Sequence, residues 1–319
     1  MTRTMPRSTT VPPAAASSPG SVVRPVERWR HGNRHLLDDH IAEEVPVAFV
    51  YNDVPFAVMM ATPADLEDFA RGFALSEGIV EHIDDVVVER VQSFIEGIEI
   101  GLRIPAARAD ALAQRRRSMS GRSGCGVCGS ELLETALRYP PPITTDIRIE
   151  TSALRRALHG LRAAQALNDL TGATHAAGWA GLDGELQLLR EDVGRHNALD
   201  KLIGALSAGH IDVGTGFLAA SSRASYEMAM KAASVGIALM AAVSAPTALA
   251  ISLAERAHLT LIGFARNDGH AIYTHAQRLL PEPAATGQES IQQAATQPHD
   301  SAPAQPSPAH PRPGRSTTP

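Results

Sequence analysis

The chain of 319 residues contains two cysteines, Cys125 and Cys128, held in a C-x-x-C. Arg115, Arg116, Arg117 and Arg122 precede them, and Gly121, Gly124, Gly126 and Gly129 surround them. A thiolate is the reactive form of cysteine, and neighbouring cations lower its pKa. The glycines let the backbone turn sharply and leave the sulfurs accessible to a large partner. Two thiols alone cannot be a disulfide scaffold for so long a chain. Thiol chemistry is the first reading and half of a zinc site the second. A structural zinc needs four ligands, and no second C-x-x-C is present to complete it. An incidental pair is the third. A thioredoxin-like role needs the motif at the start of a helix after a strand, whereas here it follows a basic helix and a Gly/Ser loop.

A second polar block runs over residues 191–201, Glu-Asp-Val-Gly-Arg-His-Asn-Ala-Leu-Asp-Lys. At helical spacing Asp192, His196 and Asp200 share a face, and Asn197 neighbours Lys201. Glu191, Asp192 and His196 could form an acid/base or guanine-reading cluster. Equally, the block is a solvated helix start with acids near the positive dipole end. Lys201 and Lys231 are the only lysines beside many arginines. Base composition of the genome accounts for that bias, and a need for an ammonium group at these two positions is the sharper alternative.

Three loops follow short apolar runs in the second half. Ser221, Ser222, Arg223 and Ser225 follow the first and open a helix, a common anion-binding arrangement. Glu227 and Lys231 form an i,i+4 pair on that helix. Ser244, Ala245, Pro246 and Thr247 follow the second run. Phe264, Ala265, Arg266, Asn267, Asp268 and Gly269 follow the third. Three polar or arginine-bearing loops on one sheet edge suggest a site for a phosphorylated ligand. His175 is a ligand, a base or simply hydrogen-bonded structure. Arg71, Glu77 and Gly78 read as helix surface and cap.

These groups must be positioned by two kinds of architecture. Residues 26–140 look like a smaller α+β domain ending in the cysteine loop. Strands over 45–50 and 56–60 flank a turn, and Thr62 as N-cap with Pro63 opens a helix that Gly78 stops. A further strand pair over 86–94 and 98–104 and a helix over 106–117 follow. Residues 141–280 read as α/β: a helix over 152–167, a hairpin near Asp183, a helix over 195–206, then alternating strands and helices. Alternation of this length implies parallel strands with right-handed crossovers. A last turn leads to an antiparallel edge strand over 271–274. Residues 1–25 and 281–319, rich in Pro, Ala, Ser and Thr, read as disordered tails.

The formal net charge of -5 gives no basic field, so nucleic acid is not indicated as a partner. No run of about 18 uncharged apolar residues suggests a membrane span. The N-terminus lacks the apolar segment of a secretory signal, and two free cysteines then suit a reducing cytoplasm.

With these blocks in order, the chain resembles the FdhD/NarQ family of formate dehydrogenase accessory sulfurtransferases. The resemblance rests on residues 71–80 (RGFALSEGIV), 125–129 (CGVCG), 171–177, 191–201, 222–231, 244–247 and 261–266. It spans roughly residues 35–277. It implies an α/β fold, a cytidine-deaminase-like three-layer sandwich with a smaller α+β N-terminal domain, acting as a homodimer. It implies a persulfide relay in which a cysteine desulfurase gives sulfur to Cys125, with Cys128 assisting or shielding. The sulfur then passes to the molybdenum or tungsten cofactor of formate dehydrogenase, carried as its bis(molybdopterin guanine dinucleotide) form. It implies nucleotide binding by Phe264, Ala265, Arg266, Asn267, Asp268 and Gly269. Ser222, Arg223, Ser225, Asp192, His196 and Lys201 are added as cofactor-binding candidates, and no resident metal is implied. The deaminase H-x-E and P-C-x-x-C signature is absent, so deamination is not implied. The alternatives are a cofactor-insertion chaperone without sulfur chemistry and a zinc-binding regulator using Cys125 and Cys128.

Overall fold

The first-half turn signals fold as their residue types require. In a computed structural model describing residues 19–120, 137–266 and 268–282, β3 (Val45–Tyr51) and β4 (Val54–Ala61) form an antiparallel hairpin. Its turn residues Asn52 and Asp53 both take positive φ, 47° and 64°, as a two-residue hairpin turn demands. β6 (Ile98–Arg103) pairs parallel with β3 and antiparallel with β5 (Val87–Ser93), giving a four-stranded sheet of order β4-β3-β6-β5. Helix α1 (Leu66–Ser76) packs on it through Phe69 and Phe73, whose rings lie 5.0 and 4.6 Å from that of Phe49. Helix α2 (Ala106–Ser120) adds Ala109 and Leu112 to the same core.

The start of α1 differs from expectation. Asp65, not Thr62, holds the cap position, in a left-handed conformation and without a side-chain cap bond. The polar groups of Thr62 are engaged elsewhere, as described below. Gly78 ends the helix at φ +62°, as expected.

Ahead of this sheet, β1 (Ser21–Arg30) and β2 (Asn33–Ala42) form a separate antiparallel ribbon. The first strand therefore begins inside the stretch expected to be a tail, because Val22, Val23 and Val26 pair across to Ile41, His40 and Leu37. Residues 1–18 and 283–319, the rest of the expected tails, lie outside the described residues.

The second half builds a six-stranded sheet of order β13-β12-β11-β10-β8-β9. Its strands are β8 (His175–Gly181), β9 (Leu186–Asp192), β10 (Gly216–Ala220), β11 (Leu239–Ala242), β12 (Thr260–Arg266) and β13 (Gly269–Ile272). β10, β11 and β12 run parallel, joined by α6 (Tyr226–Ser234) and α7 (Ala248–Arg256). β13 is the antiparallel edge strand that the sequence predicted. β10 and β11 are buried at every position, which accounts for their unbroken apolar runs. Helix α3 (Thr151–Ala163) sets Leu161 against Ala176 and Ala219, and the short α4 (Ala166–Thr171) follows it. A small parallel pair, β7 (Ile149–Glu150) with β14 (Leu279–Leu280), ties the end of the described chain to the start of α3.

Helix α5 (Arg195–Ala208) crosses α1 at contact distance. A Cβ on Gly72 would lie 1.7 Å from the Asp200 carbonyl oxygen, and one on Gly204 1.9 Å from that of Asp68. Glycine at both positions is what lets the two backbones touch. Among the described residues, no helix is long and apolar enough to cross a membrane.

Candidate functional site

The carboxyl ends of the parallel strands open on a cavity of about 720 Å3. Ser221 after β10, Val243 after β11, and Ala265, Arg266 and Asp268 at the end of β12 line one side. β8 runs antiparallel to β10, with Ala177 opposite Ala220, so its first residue, His175, reaches the same rim. The facing wall comes from α3 and α4: Arg162, Gln165, Asn168 and Asp169. Ligands of open α/β sheets lie at this end of the strands. Two guanidiniums, a histidine, two amides and two carboxylates suit a polar, anionic ligand with hydrogen-bonding edges.

The strand-end loops divide between lining this cavity and shaping it. Ala265, Arg266 and Asp268 line it, whereas Phe264 is 46% exposed with φ 50° and its N–H donates to the Ser244 carbonyl at 3.2 Å. Gly269 is exposed, and Asn267 lies outside the described residues. Ser222 is buried, its hydroxyl donating to the Arg223 carbonyl at 3.1 Å. Arg223 is exposed. Ser225 and Thr247 are N-caps, accepting from Met228 N at 3.4 Å and Ala250 N at 3.3 Å. Ser221 ties β10 to β8, its hydroxyl accepting from Ala176 N at 2.8 Å.

The block at 191–201 is taken apart by the fold. Its first two residues end β9 rather than starting a helix, so Glu191 and Asp192 point to opposite sides of the strand. Glu191 caps α4, accepting from Leu167 N at 2.9 Å, Asn168 N at 2.8 Å and the Thr174 hydroxyl at 3.0 Å. Asp192 and Lys201 pair at 2.7 Å with both side chains 0% exposed. Asp192 also accepts from Thr62 N (3.0 Å), Gly194 N (2.8 Å) and the Asn197 amide (2.9 Å). The Lys201 ammonium donates to the Thr62 carbonyl at 2.9 Å, and the Thr62 hydroxyl accepts from Val193 N at 3.2 Å. Both candidates are thus corrected: with no exposed side-chain atoms and with partners inside the protein, Asp192 and Lys201 bolt the hairpin β3–β4 to α5 and do not line the cavity. Burial pushes the Lys201 ammonium below the usual lysine value, against the pull of Asp192.

Lys231 belongs to a second buried cluster. It binds Asp200 at 2.9 Å, Glu77 at 2.9 Å and the Ser76 hydroxyl at 3.0 Å. Ser76 in turn donates to Asp200 at 2.6 Å. The expected Glu227–Lys231 pair does not form, because Glu227 pairs with His196 instead, at 2.9 Å. Burial works against the Lys231 charge, but Asp200 and Glu77 together outweigh it and raise the ammonium above its usual value. Glu77, expected to be helix surface, is therefore part of this cluster. Arg71 is surface as expected, paired with Glu67 at 2.9 Å.

Arg138 closes the same corner. Its guanidinium binds the Glu77 and Ser76 carbonyls, and its own N–H and C=O bond the Tyr226 hydroxyl at 2.6 and 2.9 Å. This fixes the chain ten residues after Cys128 to the start of α6. Cys125 and Cys128 themselves lie outside the described residues.

His196 is held by Glu227 and by the Ser225 hydroxyl at 3.3 Å, and burial lowers its pKa. The α3–α4 wall was not foreseen. No motif marks Arg162, Gln165, Asn168 and Asp169, and only the packing of α3 on β8 and β10 brings them to the rim.

Comparison with known proteins gives this architecture its kin. The profile of the FdhD/NarQ family matches residues 42–280. A protein of Xanthomonas euvesicatoria pathovar vesicatoria named Sulfur carrier protein FdhD is 59% identical over 85% of this chain and 96% of its own. One of the same name from Cupriavidus necator is 50% identical over 86% of this chain and 97% of its own. A crystal structure from Desulfotalea psychrophila, of a candidate formate dehydrogenase accessory protein, superposes with a TM-score of 0.63 at 24% identity. It covers 82% of this chain and 100% of that one, and it shares the fold. A family profile spanning both sheets and relatives matching nearly end to end lead to one conclusion: the chain belongs to the FdhD/NarQ family.

Proposed function

We propose that this chain is a sulfur carrier required for formate dehydrogenase activity. The observation that carries the reading is the relatives' shared name, Sulfur carrier protein FdhD, on proteins matching this chain over most of its length. The Cys125 thiolate attacks the terminal sulfur of a persulfide on a cysteine desulfurase. The donor's S–S bond breaks, the donor leaves as a thiolate, and Cys125 keeps the sulfur as its own persulfide. Cys128 assists or shields it. The acceptor is the molybdenum bis(molybdopterin guanine dinucleotide), handled as cargo before insertion into the catalytic subunit of formate dehydrogenase.

The cavity at the strand ends is the proposed seat of the nucleotide part of that cargo. Arg162 and Arg266 offer planar, permanently charged forks for phosphates. Asp169, Asp268, Gln165 and Asn168 offer acceptors and donors for base and ribose edges. The segment 264–269 is its core, with Ser222, Arg223, Ser225 and His196 as flanking positions. The same reading takes the protein as a cytoplasmic homodimer whose larger part is a cytidine-deaminase-like sandwich.

The test is co-expression with formate dehydrogenase. Cys125→Ala is expected to abolish activation of the client while GDP binding by the purified variant persists. Full activation by that variant would end the relay reading.

A further inference from the structure

His175 occupies an unusual position among the polar groups of the cavity. It is the first residue of β8, at the rim formed with Arg162 and Arg266. Its imidazole is half-buried and makes no side-chain hydrogen bond among the described residues. No protein group among the described residues claims its ring nitrogens, so they are free to meet a ligand that enters the cavity.

The charges around it are one-sided. Arg195 opens α5 and Arg223 lies in the loop after β10, and both act on the ring. Arg162 comes from α3 and Arg266 from β12. The carboxylates of β9, opposite in register, are spent: Glu191 caps α4 and Asp192 is locked to Lys201. Glu227 is taken by His196, leaving Asp169 and Asp268 on the far wall and mouth. Burial, then the charges of Arg195 and Arg223, hold His175 neutral below its ordinary value of 6.5.

We propose that His175 is a phosphate-contacting residue of this cavity and takes up a proton from solvent when a nucleotide diphosphate binds. This rests on the reading of the cavity as the nucleotide seat. An arriving diphosphate brings negative charge that offsets the arginines and reverses the balance at the ring. The imidazolium N–H then donates a charge-assisted hydrogen bond to a phosphate oxygen. The arginines alone would bind phosphate without any change in protonation. A phosphate shedding its own proton would release one, so the sign of the exchange separates the two.

Titration calorimetry of the full chain with GDP near neutral pH, in buffers of different ionisation enthalpy, reads this directly. Wild-type protein should show net uptake of a fraction of a proton per bound GDP. His175→Asn should abolish the uptake and weaken binding about tenfold, the scale of one charge-assisted hydrogen bond. His159→Asn, at an exposed position of α3 that does not line the cavity, should keep the uptake. GDP binding without uptake in the wild type, or uptake surviving in His175→Asn, overturns the assignment while the cavity reading stands. Absence of GDP binding to the wild type removes both. The wild-type measurement needs no variant, so a folding defect in either substitution does not protect the proposal.

Discussion

The Asp192 carboxylate and the Lys201 ammonium meet 2.7 Å apart with neither side chain reaching solvent. The pair joins the end of β9 to α5 and, through Thr62, fastens the four-stranded sheet to the six-stranded one. Removing one partner of a buried pair leaves the other charge desolvated and unmatched, which costs about 3–5 kcal/mol. Lys201→Met should therefore lower unfolding free energy by that amount in urea titration. A loss below about 1 kcal/mol would show that the pair is dispensable.

The α1–α5 crossing makes the second prediction. Alanine in place of a helical glycine ordinarily gains up to about 1 kcal/mol in helix propensity. At Gly72 the added methyl would sit 1.7 Å from the Asp200 carbonyl oxygen, so the helices must part, at about 1–3 kcal/mol or more. Gly72→Ala should be destabilising in thermal unfolding. A raised Tm would contradict the packing described.

Acid should weaken the fold through two histidines. His175 and His196 are both held below 6.5, chiefly by burial. In the window between their folded values and 6.5 the unfolded chain binds more protons, so their contribution is complete above 6.5 and fades as pH falls through it. Tm should decline on acidification just below 6.5, and a His175→Asn, His196→Asn double variant should decline less steeply. Equal slopes for the two proteins would refute this.

Tyr226 supplies a local prediction. Its hydroxyl both accepts from and donates to the backbone of Arg138. Tyr226→Phe removes both bonds at a net cost of about 1–3 kcal/mol. Amide hydrogen exchange should accelerate at Arg138 and Tyr139, with β10 and β11 unaffected. Unchanged exchange at Arg138 would mean that the contact does not anchor this segment.

Much of the second half was readable because its signals are local. Short apolar runs such as 216–220, with Ser225 and Thr247 as the helix caps, mark β10, α6, β11, α7 and β12 within a few residues of sequence each. The carboxyl-end loops were therefore legible, and with them Arg266 and Asp268. The polar block at 191–201 was not, because strand and helix divide it between Asp192 and Arg195. A helical periodicity laid over that boundary groups residues that the backbone sends apart. Thr62 looked like a cap because sequence cannot show that Asp192, some 130 residues later, claims its N–H. Lys231 likewise suits Glu227 at i,i+4, yet Glu77 just past the end of α1 and Asp200 of α5 surround it in a buried corner. The α3–α4 wall of the cavity carries no motif and exists only through packing.

The central claim is that sulfur travels on Cys125, and persulfide trapping tests it most directly. The purified chain is incubated with a cysteine desulfurase and cysteine, alkylated and analysed by peptide mass spectrometry. The peptide holding Cys125 should gain one sulfur atom beneath the alkyl group, and the gain should vanish in Cys125→Ala. A wild-type peptide that gains no sulfur, from a desulfurase shown to be charged, would contradict the account.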